Sequence, residues 1–155
     1  MNSGKSISKL EIIKNQIAEL EIDAGQKKGS VNLIAVSKTK PMDQIKPVID
    51  EGQVHFGENK VQEAVLKWQE LKEKNKTIDL HLLGPLQSNK VKKVFGIFDY
   101  IHSLDRNSLA EKISDEVQKK GFCPKLFIQV NTGLEQQKAG IELSLIHISE
   151  PTRPY

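Results

Sequence analysis

Lys38 is the residue best placed for covalent chemistry, because of what precedes it. It follows the apolar run Leu33-Ile34-Ala35-Val36 and sits inside Ser37-Lys38-Thr39-Lys40-Pro41. The run predicts a buried parallel strand, so the lysine stands where that strand leaves the core. The carboxyl ends of such strands are where α/β enzymes position cofactors and reacting groups. A primary amine there can form a Schiff base with a carbonyl compound once its neutral form is available. Lys40, two residues on, contributes a like charge that favours the neutral form. The plain alternative is a solvated lysine in a strand-to-helix loop.

Other polar residues fall at the ends of predicted strands. Asn59 follows Val54–Phe56, Gln87-Ser88-Asn89 follow Leu80–Leu83, and Asn131 follows Leu126–Val130. With Lys38 they are expected to gather on one rim. Asn59 and Asn131 either bond the polar substituents of a ligand or act as turn residues that satisfy local backbone. The start of the helix near Asn89 either attracts an anion or is closed by Ser88 or Asn89 as a cap. His81 begins a strand and belongs to the opposite end, and His55 lies within one, so both read as packing. Trp68 reads as a core anchor on a helical stripe.

The elements that must position these residues alternate along the chain. Ile7, Leu10, Ile13, Ile17 and Leu20 recur at helical spacing and predict an amphipathic helix before the first strand. Pro41 opens a helix whose Ile45, Val48 and Ile49 share a face, and Gly52 closes it. Val61, Val65, Trp68 and Leu71 mark a longer helix, and a short one runs around Asn89–Phe95. Tyr100–His102 predicts a fourth strand. Leu109, Ile113 and Val117 mark a further helix, which Gly121 ends. Strands that recur with intervening helices predict a parallel sheet. Both an open doubly wound sheet and the first five units of a (β/α)8 barrel fit. A full barrel takes about 250 residues, more than the 155 present. No glycine-rich phosphate loop follows the first strand, which weighs against a dinucleotide-type open sheet.

Bulk composition narrows the function classes. The 23 Lys and Arg are interleaved with 20 Asp and Glu, for a net charge of +3. That pattern predicts solvated helix faces, and no nucleic-acid-binding signature accompanies it. A single cysteine, Cys123, excludes an intramolecular disulfide and a cysteine-cluster metal site. No apolar stretch is long enough to span a bilayer and no signal-type segment is evident, so a cytoplasmic protein is expected.

Three rim segments then carry a resemblance. They are Ala35-Val36-Ser37-Lys38-Thr39-Lys40-Pro41, Phe56-Gly57-Glu58-Asn59-Lys60-Val61-Gln62-Glu63 and His81-Leu82-Leu83-Gly84-Pro85-Leu86-Gln87-Ser88-Asn89-Lys90. A fourth match is Ile128-Gln129-Val130-Asn131, followed by Lys138-Ala139-Gly140-Ile141. In this order they resemble the YggS/PROSC family of pyridoxal phosphate homeostasis proteins. The resemblance implies a (β/α)8 barrel like the N-terminal domain of alanine racemase. It also implies pyridoxal 5'-phosphate held as a Schiff base on Lys38, with Asn59, Asn131 and Lys138 as further cofactor-binding residues. Such proteins are regarded as carriers or buffers of the cofactor, not as catalysts, and as monomers or weak dimers. A racemase-like enzyme using the same lysine and a cofactor-free α/β interaction module are the alternatives. Racemisation needs a second acid/base group across the cofactor, and none can be assigned.

The likeness stops near Gly140-Ile141-Glu142. Residues 1–142 therefore read as a partial barrel, the N-terminal part of a longer family member. Residues 143–155 read as a non-family tail resembling a translated adaptor, with a divergent natural tail as the alternative. In the family, loops and an arginine from the last strands grip the cofactor phosphate, as is usual in this barrel class. Without the three further strand-helix units of such a barrel, the inner faces of the first and fifth strands, Val36 and Ile128 included, are expected to meet water. The chain is then expected to be unstable or to aggregate, with no rescue by the cofactor.

Overall fold

The computed structural model describes residues 7–142; the tail expected at 143–155 lies outside them. Helix α1 spans Lys9–Asp23, with Ser8 as its cap, whose Oγ accepts a hydrogen bond from the Glu11 N–H at 3.1 Å. Strand β1 is Ala35–Val36 and α2 is Met42–Asp50, with Pro41 just ahead of it. Then come β2 His55–Glu58, α3 Val61–Lys74 and β3 Asp79–Leu82. A 3-10 turn at Ser88–Lys90 leads into α4 Val91–Val94. The chain continues through β4 Tyr100–Leu104, α5 Asn107–Lys120 and β5 Lys125–Ile128. A final pair of short strands is β6 Val130–Asn131 and β7 Ile141–Glu142.

The five main strands form one parallel sheet in the order β1-β2-β3-β4-β5. This order decides between the two expected architectures. A doubly wound sheet reverses direction at a switch point, whereas consecutive strands that never reverse are the arrangement of a (β/α)8 barrel. The fold is thus the first five strand-helix units of such a barrel. One face of the sheet packs on the helices. Phe56, Leu80, Leu82 and Ile101 there are almost completely buried with Trp68, Val91, Val94, Leu109 and Ile113. The opposite face carries His55, His81, Tyr100, His102 and Phe127 in a continuous set of ring contacts.

Several element boundaries differ from the sequence reading. Strand β1 covers 35–36 only, because the Leu33 carbonyl accepts from the Gln53 side-chain amide at 2.5 Å instead of joining the ladder. Strand β4 runs on to Leu104, and the β4–β5 register slips between Ile101 and Leu104. Beyond that bulge Val130 leaves β4 and pairs with Ile141, so β5 ends at Ile128, not at residue 130. Helix α1 forms as expected, but its apolar stripe is largely uncovered: Ile13 and Leu20 are exposed. What holds α1 is polar. The buried Glu21 carboxylate accepts the Gly29 and Val31 N–H groups at 2.7 Å each, and the Ser8 hydroxyl donates to Glu51 at 2.6 Å. Those backbone N–H groups hold the Glu21 carboxyl below its usual range. Val36 and Ile128 are exposed, as anticipated.

Candidate functional site

Lys38 occupies a tight turn at the carboxyl end of β1. The turn is closed by the Lys40 N–H donating to the Ser37 carbonyl at 3.1 Å. Thr39 follows the lysine at φ 62°, a left-handed conformation that is uncommon for a β-branched residue. Backbone of this kind persists only where its surroundings over-determine it, and it concentrates at functional sites. Here the surroundings are specific. The Thr39 N–H donates to Glu63 Oε1 at 3.1 Å, and the Ser37 N–H donates to the Gly57 carbonyl at 2.9 Å.

Beneath the turn lies a buried charge network. Glu58, at the end of β2, is fully buried, and its Oε1 accepts from the Ser37 hydroxyl at 2.7 Å, Lys67 Nζ at 2.9 Å and Trp68 Nε1 at 2.9 Å. Lys67 Nζ also donates to the Ser37 carbonyl at 2.9 Å. In the sequence Glu58 stands out only as a member of the rim segment 56–63, and Trp68 reads as packing alone. Trp68 is the core anchor expected, yet it also serves this carboxylate. The available signal was the i, i+4 pair Glu63 and Lys67 on the helix that follows Glu58.

The Lys38 side chain itself is exposed, and among the described residues its amine has no hydrogen bond or ion pair. Asn59 is half-buried at the end of the neighbouring strand. Val36 pairs with Gly57, so Lys38 and Asn59 each stand two residues past that pair on adjacent strands. Gly84 packs its backbone directly on that of Asn59, where any Cβ would collide with the Asn59 carbonyl. Asn59 and Gln87 line a common pocket of about 360 Å³ with Lys60 and Lys90.

The remaining expected residues are engaged elsewhere. The Asn131 amide donates to the Glu135 carbonyl at 2.9 Å and its oxygen accepts the Glu135 N–H at 3.3 Å. Of the two roles open to Asn131, its contacts are those of a turn residue. Lys138 Nζ pairs with Glu135 Oε1 at 2.5 Å. Ser88 does not cap a helix: its Oγ accepts from Arg106 Nη2 at 3.3 Å, and neither it nor Asn89 caps the 3-10 turn through its side chain. Helix α4 has only four residues, so the reading of its start as an anion site has little aligned backbone dipole behind it.

The two histidines read as packing do more than pack. His55 Nδ1 lies 3.1 Å from His81 Nε2, and His81 Nδ1 lies 2.9 Å from His102 Nε2. Tyr100 stacks on His81 with centroids 4.1 Å apart. Burial, followed by the neighbouring His102 and His55, pushes the His81 imidazole down to about 4, and burial also lowers His102. The His81 ring, at the centre of this chain, therefore stays neutral near pH 7.

No family model matches the chain. Curated relatives do. The pyridoxal phosphate homeostasis protein of Vibrio alginolyticus is 39% identical over 144 residues, which is 91% of this chain and 62% of that protein. The Escherichia coli protein of the same description is 39% identical over 135 residues, 85% of this chain and 57% of its own. Among solved structures, PipY of Synechococcus elongatus with pyridoxal phosphate bound superposes with a TM-score of 0.66 at 42% identity, covering 83% of this chain and 57% of PipY. A Bifidobacterium adolescentis protein of unknown role superposes with a TM-score of 0.79 at 34% identity, over 88% of this chain and 58% of that one. The chain thus spans about three fifths of the length of the relatives it matches.

Proposed function

The chain belongs to the YggS/PROSC family of pyridoxal phosphate homeostasis proteins, and from that premise we propose that Lys38 is the covalent attachment point of pyridoxal 5'-phosphate in a protein that carries and buffers the cofactor inside the cell. The observation that carries this reading is the exposed amine of Lys38, without a partner among the described residues, on an anchored turn at the carboxyl rim. The donor chemistry fits. When bound, the group supplies an aldehyde that condenses with a primary amine, with loss of water. Lys38 offers that amine, and Asn59 offers a half-buried amide on the adjacent strand for the polar substituents of the group. The rim pocket beside Asn59, flanked by Lys60 and Lys90, offers positive charge nearby.

Lys138 is the second candidate amine, held in reserve by Glu135. The contacts of Asn131 to its own loop favour a role in shaping the Lys138 segment over direct contact with the cofactor. We read the protein as a non-catalytic cytoplasmic carrier, a monomer or weak dimer without a nucleic-acid partner. In support, no second acid/base group is assigned opposite Lys38 among the described residues, and no helix among them is long and apolar enough to cross a membrane.

Borohydride reduction of the full chain with pyridoxal phosphate, followed by peptide mapping, tests the attachment. A pyridoxyl label on Lys38 is expected, and label confined to Lys40 or Lys138 refutes the assignment. Circular dichroism of L-alanine solutions with saturating cofactor tests the carrier reading. Enantiomer interconversion that Lys38→Ala abolishes contradicts it.

A further inference from the structure

We propose that Glu58, Lys67 and Glu63 are positioning residues that hold the Lys38 amine in its presented geometry by clamping the turn on both sides of it; the inference rests on Lys38 being the attachment point. Three contacts carry it. On the N-terminal side, Ser37 is gripped twice: its hydroxyl donates to Glu58 Oε1 at 2.7 Å and its carbonyl accepts from Lys67 Nζ at 2.9 Å. On the C-terminal side, the Thr39 N–H donates to Glu63 Oε1 at 3.1 Å. Among the described residues, the Lys38 amine makes no hydrogen bond or ion pair between these two fixed neighbours.

The energetics argue that this network exists for geometry. A buried ion pair is poor stabiliser per se, since desolvating both charges consumes most of their attraction. Glu58 is fully buried, and among the described residues its Oε2 has no hydrogen-bond partner, a cost that a hydrophobic pair at these positions would avoid. What the network yields is a fixed conformation of residues 37–39, including Thr39 at its strained φ of 62°. An amine on a stem of four carbons is mobile, so the position of its Cα and the direction of its Cβ are what the protein can set. Lys67 reaches from α3 to both Glu58 and Ser37, and its position 3.8 Å from Glu63 Oε1 links the two arms.

The test uses the full chain and compares wild type, Glu58→Gln/Lys67→Met and Lys67→Arg. The double variant removes both charges together, leaves an acceptor for Ser37 and Trp68, and releases the Ser37 carbonyl. Two rates are followed by peptide mapping: pyridoxyl labelling of Lys38, and acetylation of Lys38 relative to Lys40 by acetic anhydride. The expected result is at least a tenfold loss of pyridoxyl labelling at Lys38, a changed Lys38-to-Lys40 acetylation ratio, a displaced absorbance band of the bound cofactor, and partial recovery in Lys67→Arg. Wild-type rates, ratio and band in a folded double variant overturn the inference. If the double variant does not fold, Glu63→Ala decides, because Glu63 is partly exposed and touches the turn only through the Thr39 N–H. It must lower labelling at Lys38 at least threefold, or the inference fails. Should wild type take no pyridoxyl label at Lys38, the attachment proposal fails by itself, and the acetylation ratio still judges the clamp.

Discussion

Thr39 and His81 are two residues whose native states cost free energy, for different reasons. Thr39 holds φ 62°, and left-handed backbone costs a non-glycine residue roughly 1–2 kcal/mol. Glycine there loses that strain but gains about 0.4–1 kcal/mol of unfolded-state entropy. Thr39→Gly is therefore expected to be neutral or to stabilise by up to about 1.5 kcal/mol in urea denaturation, and a clear loss of stability would mean that the Thr39 side chain is needed. His81 is displaced down to about 4 by burial, His102 and His55, with Asp99 opposing and Lys125 reinforcing; Tyr100 covers its face. Above pH 6.5 the ring is neutral both folded and unfolded. Between 6.5 and about 4 the unfolded ring takes a proton that the folded one refuses, so stability falls as pH falls through that window. The slope is at most about 1.4 kcal/mol per pH unit. His81→Gln is expected to flatten the fall in melting temperature across this range; an unchanged pH profile would assign the acid sensitivity to other groups.

At the scale of elements, the rim depends on how closely strand ends approach one another. Gly84 follows β3 and lies against the Asn59 backbone after β2, with no space for a side chain. Gly121 ends α5 at φ 74°, with its N–H bonded to the Val117 carbonyl at 2.8 Å and open space where a Cβ would point. Alanine should therefore act differently at the two sites. Gly121→Ala pays only for backbone conformation, about 1 kcal/mol. Gly84→Ala must move backbone against backbone, at the upper end of the roughly 1–3 kcal/mol that overpacking costs, and should displace Asn59 and the pocket it lines. Chemical denaturation of the two variants gives the ranking, and an equal or smaller loss for Gly84→Ala would show that the β3 end yields easily.

At the scale of the whole molecule, the described sheet has two open edges, at β1 and β5, and an incompletely covered face. Val36, Phe127 and Ile128 are each about half exposed or more, at 51%, 49% and 61%. Unpaired strand edges beside exposed apolar side chains favour association. The full chain is expected to bind a hydrophobic dye and to self-associate with increasing concentration, and Phe127→Lys with Ile128→Lys should reduce both. A monomer at high concentration that leaves the dye dark would show that this face is covered in solution.

The sequence by itself determined the succession of strands and helices, the cap glycines Gly52 and Gly121, and the standing of Lys38 at the end of the first strand. Each of these is written in local chemistry: hydrophobic period, turn residues, and an apolar run that stops at a lysine. Its resemblance to a family also pointed to the barrel before strand order was known. The tertiary structure decided what depends on residues distant in the chain. Strand order chose the barrel over the doubly wound sheet, and Gln53 shortened β1 by taking the Leu33 carbonyl. Asn131 turned into its own loop, while Asn59 stayed on the rim. Glu58 became the buried centre beneath Lys38 because α3 brings Lys67 and Trp68 to it, 9 and 10 residues further along the chain. His55, His81 and His102 met because parallel pairing puts successive strands side by side. A side chain's identity and its local period are legible in one dimension; which carboxylate it meets, and whether water is excluded there, is fixed only when strands and helices pack.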